Sequence, residues 1–187
     1  SILLNIMNRL LNCISKLNTN DTPVWFMRQA GRYLPEFREI RKKNPNFINL
    51  CLNDNLSAEI TLQPIKRFNF DAAIIFSDIL MLPYGLGQEV KFEKGLGPRL
   101  GKLDLDLITN INKDEFSRKL NPIYKSISKI SSNNICKNKD IIGFVGAPWT
   151  ILVYMINKMS PKKSLSKEIF NDQLFMNKLL FIIEKFL

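Results

Sequence analysis

The chain has 187 residues, 45% of them apolar and 24% charged, which is enough for one domain with a sizeable core and too apolar for a disordered segment. Lys and Arg number 27 against 17 Asp and Glu, a net charge of +10 that fits nucleic acid, an anionic membrane surface or an acidic small substrate, although a general abundance of Lys, Asn and Ile accounts for most of it. With no histidine and three isolated cysteines (Cys13, Cys51 and Cys136), a Cys/His zinc site and histidine acid–base chemistry are excluded from this stretch of chain.

Leu3, Ile6, Leu10, Cys13, Ile14 and Leu17 recur at helical intervals and predict a helix over residues 2–17. A polar turn follows, and the apolar run 23–27 (PVWFM) predicts a buried strand. A helix is expected over 34–43, with Pro35 tolerated in its first turn, and another over 56–68, which Pro64 should kink or shorten. DAAIIF at 71–76 predicts a second buried strand. Between Leu80 and Leu100, glycines and prolines surround the alternating EVKFE of 89–93, the pattern of a hairpin. Phe116, Leu120, Ile123, Ile127 and Ile130 mark a helix over 114–132 that Pro122 could break in two. IIGFV at 141–145 predicts a third buried strand, and 165–187 reads as a helix in which the chain stops without a C-cap glycine.

Continuous apolar strands alternating with helices argue for a parallel α/β fold. Three strands at long intervals suit part of a (β/α)8 barrel better than a doubly wound sheet. No apolar run approaches the roughly 18 residues that cross a bilayer, and no secretory signal is present, so neither membrane association nor secretion is expected.

In such barrels function sits at the C-terminal ends of the strands. Arg28-Gln29-Ala30-Gly31-Arg32-Tyr33 follows the first expected strand, Ser77-Asp78 the second, and Gly146-Ala147-Pro148-Trp149-Thr150 the third, leading to Tyr154 on the first turn of the next helix. Gly31 would let the backbone turn tightly, so that the guanidinium forks of Arg28 and Arg32 converge on carboxylates or phosphates; equally, they could be ordinary surface arginines. Asp78 closes an apolar strand, where a carboxylate is costly without a partner, and could serve as a ligand group or as a helix N-cap. Pro148-Trp149 could wall a pocket or fill the core, and Tyr154 is ambiguous by itself. GLGQ and GLGP lack the spacing of a dinucleotide or phosphate loop. Two cations, an anion and a phenol together suit an acidic organic substrate with at least one hydrogen-bond donor.

At these residues the sequence closely resembles the uroporphyrinogen decarboxylase family. Residues 23–39 (PVWFMRQAGRYLPEFRE) are similar to that family's first signature and 143–155 (GFVGAPWTILVYM) to its second, with 59–80 and 93–99 matching in order and spacing between them. The resemblance implies one partial barrel domain over 1–187, the N-terminal part of a (β/α)8 TIM barrel of the uroporphyrinogen decarboxylase type whose C-terminal half is missing. It implies decarboxylation of the four acetate groups of uroporphyrinogen III to coproporphyrinogen III, in the cytoplasm, with no cofactor or metal. It further implies a homodimer at full length, with no nucleic-acid or membrane partner.

By the same resemblance, Arg28, Gln29, Ala30, Gly31 and Arg32 bind substrate, the arginines gripping its carboxylates. Asp78 accepts the pyrrole N–H groups and stabilises the cationic intermediate, and Tyr154 binds or orients an acetate arm. Asp78 and Arg28 are the expected catalytic residues. Asn157-Lys158-Met159-Ser160 departs from the family's Gly-rich turn, which puts that loop's shape in doubt. A substrate-binding Ser or Thr and a His that the family takes from its C-terminal half have no counterpart, which suggests a fragment, a split gene product or an inactive tetrapyrrole-binding remnant. A zinc-dependent methyltransferase would want a Cys/His cluster, and nucleic-acid binding an aromatic and basic platform; neither is present.

Overall fold

The computed structural model describes residues 8–15, 22–160 and 165–187. In chain order the elements are α1 (Arg9–Ile14), α2 (Pro35–Lys43), α3 (Phe47–Cys51), α4 (Asp54–Phe68), β1 (Ala72–Ile74), α5 (Met81–Gly85), β2 (Val90–Glu93), β3 (Gly97–Leu100), α6 (Leu105–Asn110), α7 (Lys113–Ser131), β4 (Asp140–Ile142), α8 (Pro148–Asn157), α9 (Lys167–Asn171) and α10 (Gln173–Phe186). They fall into two compact units. One comprises Ser1–Pro45, Asn49–Ser77 and Pro122–Phe144, the other Asn46–Ile48, Asp78–Asn121 and Val145–Leu187.

The first unit is built on β1 and β4, which pair in parallel with Ala72 opposite Asp140 and Ile74 opposite Ile142. Parallel strands need both faces covered. Ala73 and Ile75 pack with Ala58, Leu62 and Ile65 of α4 and Ile130 of α7, while Ala72 is fully buried on the other face. A second core joins Leu34, Phe37, Leu50 and Ile60. α4 starts where the Asn53 side chain accepts the Leu56 N–H and ends on Asn69 in the left-handed region. α1 is held at its start by Asp140, whose carboxylate accepts the Leu10 and Leu11 N–H groups at 3.1 and 3.2 Å. Residues 2–7, 16–17 and 18–21 of the expected first helix and turn lie outside the described residues.

The strand expected at 23–27 is absent, and this corrects the reading from apolar content. Residues 22–26 form no strand or helix, and Phe26 and Met27 are 58% and 76% exposed. Val24 exchanges hydrogen bonds with Asp71 just before β1, and the Phe26 ring meets Phe70 edge-on at 5.1 Å. Five residues after Val24, the Gln29 side chain takes the backbone groups that a neighbouring strand would have used. Its Nε2 donates to Ala72 O at 2.9 Å, and its Oε1 accepts from Ile74 N–H at 3.2 Å. The third strand is likewise shorter than 141–145 and only half-buried, because β4 pairs with β1 alone among the described residues. α4 continues through Pro64 without ending, and α7 through Pro122. An interior proline costs a helix roughly 3 kcal/mol. Burial of the α4 segment around Pro64 offsets it there.

In the second unit, β2 and β3 form the expected hairpin, with Val90 opposite Leu100 and Glu93 opposite Gly97. Its turn needs positive φ, supplied by Gly95 (+80°) and Gly97 (+84°). The buried Gln88 amide donates to Gly101 O and Met155 O, both at 3.0 Å, tying the hairpin's end to α8. α8 packs on α5 and α10, and α10 also on α6. The helix expected over 165–187 is two helices. Ser166 caps α9 through Ile169 N–H, and Asp172 restarts the chain as α10 by accepting Phe175 N–H. No described helix is long and apolar enough to cross a membrane.

Candidate functional site

The loop Arg28–Tyr33 belongs to the first unit and is braced from three sides. Gln29 is buried, with its amide bonded to β1 as above. The Tyr33 hydroxyl donates to Gln29 O, and burial of that hydroxyl pushes its pKa up. Arg38, one turn into α2, donates through Nη1 to Arg32 O at 2.8 Å and to Tyr33 O at 3.2 Å. Leu34 N–H closes a turn on Gly31 O. The backbone is thus fixed while the Arg28 and Arg32 side chains are exposed, with no hydrogen bond or ion pair among the described residues.

Gly31 does not need its glycine for conformation. Its φ is not positive, and a Cβ there would meet nothing closer than the Tyr33 ring at 3.6 Å. The expectation that glycine is required for a tight turn is therefore corrected. The loop turns because Arg38, Tyr33 and Gln29 hold it. Arg38 went unnoticed in the sequence, where it reads as one more helix-surface charge.

Asp78 lies in the second unit, directly after the chain leaves β1 and the short segment following it. Its Oδ1 accepts from Leu80 N–H at 2.8 Å and its carbonyl from Met81 N–H at 3.1 Å. It is not a helix N-cap, since Leu80 occupies that position for α5. Burial drives its carboxyl pKa up, and the Leu80 N–H opposes this in part. No cation partners it among the described residues.

The loop after β4 meets this segment. A Cβ on Gly146 would come 2.5 Å from Ile151 Cδ1 and 3.1 Å from Ile79 Cβ, so glycine allows a close approach that no other residue would. Ile79, next to Asp78, therefore packs at the start of α8. Tyr154 is half-buried and lies near the end of the second turn of α8, because the helix begins at Pro148; it is not in the first turn as expected. Trp149 neither fills the core nor stands alone. It is 47% exposed and meets the Phe170 ring edge-on at 6.3 Å. After α8, Lys158 takes the left-handed position (φ 57°) that a Gly-rich turn would fill, and its carbonyl accepts Leu100 N–H.

The arrangement joins Arg28 with Arg32 in one unit and the Asp78 segment with the Tyr154 helix in the other. A cavity of about 400 Å³ in the first unit lies at the N-terminal end of β4, lined by Asn133, Lys137, Lys139 and Asp140. It contains none of the expected site residues.

The sequence model of the uroporphyrinogen decarboxylase (URO-D) family matches residues 5–187. The chain belongs to this family. A uroporphyrinogen decarboxylase from Rickettsia felis is 42% identical over 182 residues, which cover 96% of this chain and 52% of that protein. Those from Chelativorans sp. and Brucella ovis are each 45% identical, over 148 and 151 residues, and cover 79% and 80% of this chain. The chain thus spans about half the length, 43% to 52%, of these uroporphyrinogen decarboxylases. Among solved structures, a methyltransferase from Methanosarcina mazei superposes with a TM-score of 0.69 over 96% of this chain and 53% of its own, at 17% identity. That likeness concerns the α/β fold alone. The stretch 23–39, read from the sequence as resembling the family's first signature, forms the largely exposed segment 23–27, the braced arginine loop and the start of α2. The stretch 143–155, read as resembling the second, holds the Gly146 contact and most of α8.

Proposed function

We propose that this chain is the N-terminal part of a uroporphyrinogen decarboxylase and acts on uroporphyrinogen III within a completed (β/α)8 barrel. The observation that carries the reading is Asp78, a half-buried carboxylate whose pKa desolvation raises, with one oxygen on its own backbone and no cation beside it among the described residues. Such a group is expensive to hold charged until a donor arrives. Pyrrole N–H groups are donors of the right kind, and the ring becomes cationic when one of its carbons is protonated. The bond between an acetate methylene and its carboxylate can then break, its electrons flowing into the cationic ring as carbon dioxide leaves. A proton on the methylene carbon completes the methyl group and makes the ring cationic again, and loss of the first proton from the ring carbon restores the neutral aromatic pyrrole. Asp78 stabilises the positive charge in the two cationic forms of the ring, before carbon dioxide leaves and after the methyl group forms, an effect commonly worth about 3 kcal/mol for a well-placed polar group.

Arg28 and Arg32 supply two exposed guanidiniums on a rigid loop for the substrate's other carboxylates, so their geometry costs little ordering entropy on binding. Gln29 seats that loop on β1, Ala30 and Gly31 offer backbone to the substrate, and Tyr154 orients an acetate arm. Family membership supports a cofactor-free reaction in the cytoplasm by a homodimer of full-length chains. The test is to produce the chain with a complementary C-terminal half and follow coproporphyrinogen formation. Arg28→Ala and Arg32→Ala should each raise KM about tenfold, the worth of one charge-assisted hydrogen-bonding group, with a smaller change in kcat. Saturation curves identical to the parent would remove the arginines from the site. Tetrapyrrole binding without turnover by the completed parent would favour the non-catalytic reading instead.

A further inference from the structure

The parallel ladder between β1 and β4 stops just short of Asp78. Ile75 N–H still donates to Ile142 O at 3.0 Å, but Phe76 lies beyond the strand. At that residue three fully buried hydroxyls of the first unit take over. Thr61 Oγ1 of α4 accepts from Phe76 N–H at 2.8 Å and donates to Ser57 O at 2.9 Å. Ser57 Oγ donates to Phe76 O at 2.7 Å and accepts from Ser126 Oγ of α7 at 3.1 Å. Both main-chain polar groups of Phe76 are therefore gripped by consecutive turns of one helix, and its ring packs edge-on against Phe37 at 5.9 Å.

Serine and threonine inside a helix usually bond their own backbone and add nothing to a neighbour. Here the Thr61 hydroxyl does both, and the strand end it holds is two residues from the carboxylate on which the proposed reaction depends. Deleting the hydroxyl leaves a part-buried N–H without a partner, and the strand end must shift or admit water to recover one. A displacement of about 1 Å at a reacting group can lower a rate by about a hundredfold.

We propose that Thr61, supported by Ser57, is a positioning residue that fixes where the chain leaves β1 and hence where Asp78 stands. The inference rests on the reading of Asp78 as the catalytic carboxylate. It is tested in the protein completed to family length by comparing Thr61→Val, Thr61→Ser and Ser126→Ala, with Asp78→Asn beside them. Thr61→Val keeps the shape but not the hydroxyl; kcat should fall at least about tenfold while KM stays within about twofold. Thr61→Ser should restore kcat, and Ser126→Ala, which loses a buried hydroxyl that does not touch Phe76, should lower stability and leave kcat at the parent value.

Parent-like kcat in Thr61→Val, or an equal loss in Ser126→Ala, overturns the inference. If Thr61→Val does not fold, Ser57→Ala releases Phe76 O instead, and hydrogen exchange of the 76–80 amides should then quicken selectively; unchanged protection overturns it. Full activity in Asp78→Asn would instead sink the underlying reading, whereas a dead Asp78→Asn beside a parent-like Thr61→Val sinks only the positioning role.

Discussion

A half-buried carboxylate whose only partner is its own backbone costs stability when charged, and Asp78 is such a group among the described residues. Because burial raises its pKa, the folded chain holds the proton more tightly than the unfolded chain does. Its contribution therefore favours folding below the ordinary carboxylate range and weakens as pH rises through the folded value. A side chain that works against stability at neutral pH is common where chemistry is done. Gly31 belongs to the same scale. Its φ is not positive and a Cβ fits at 3.6 Å from the Tyr33 ring, so Gly31→Ala should leave the melting temperature within about 2 °C of the parent. If substrate approaches the backbone there, the same variant raises KM. A large loss of stability would show that the loop is strained in a way the geometry does not reveal.

Among the elements, periodicity made α2, α4, α7 and the β2–β3 hairpin legible because packing and turn chemistry point the same way there. It failed where side chains substitute for backbone. PVWFM has the content of a buried strand, yet the Gln29 amide occupies the edge of β1 and leaves Phe26 and Met27 in solvent. Short α6 and the break between α9 and α10 were missed because they are set by single caps, Asp104 on Leu107 N–H and Asp172 on Phe175 N–H, rather than by an apolar stripe. The two prolines were over-read, since tertiary packing outweighs one lost helical hydrogen bond. At the end of α8, Lys158 holds a left-handed conformation that costs a residue with a side chain roughly 1 kcal/mol. Lys158→Gly should recover about that amount in chemical denaturation, with no change in the slope against denaturant. A destabilised variant would mean that the Lys158 side chain contributes more than its backbone strain removes.

For the molecule as a whole, the arginine loop and Asp78 could be proposed from sequence as motifs, and Asp78 does follow β1, but the strand expected before the arginine loop did not form. Their support was not legible. The Gln29 brace and the Thr61–Ser57 grip join segments 15 or more residues apart, and the Arg38 brace, though only five or six residues from its partners, follows no periodic pattern, so nothing local announces them. The chain covers 43% to 52% of the length of the relatives compared. All of this depends on a lone negative charge waiting for a ring that turns positive. Coproporphyrinogen formation by the completed protein should therefore collapse in Asp78→Asn, by about a hundredfold or more in kcat, while the variant's melting temperature at neutral pH equals or exceeds that of the parent. Turnover at the parental rate by a folded Asp78→Asn protein would contradict the account.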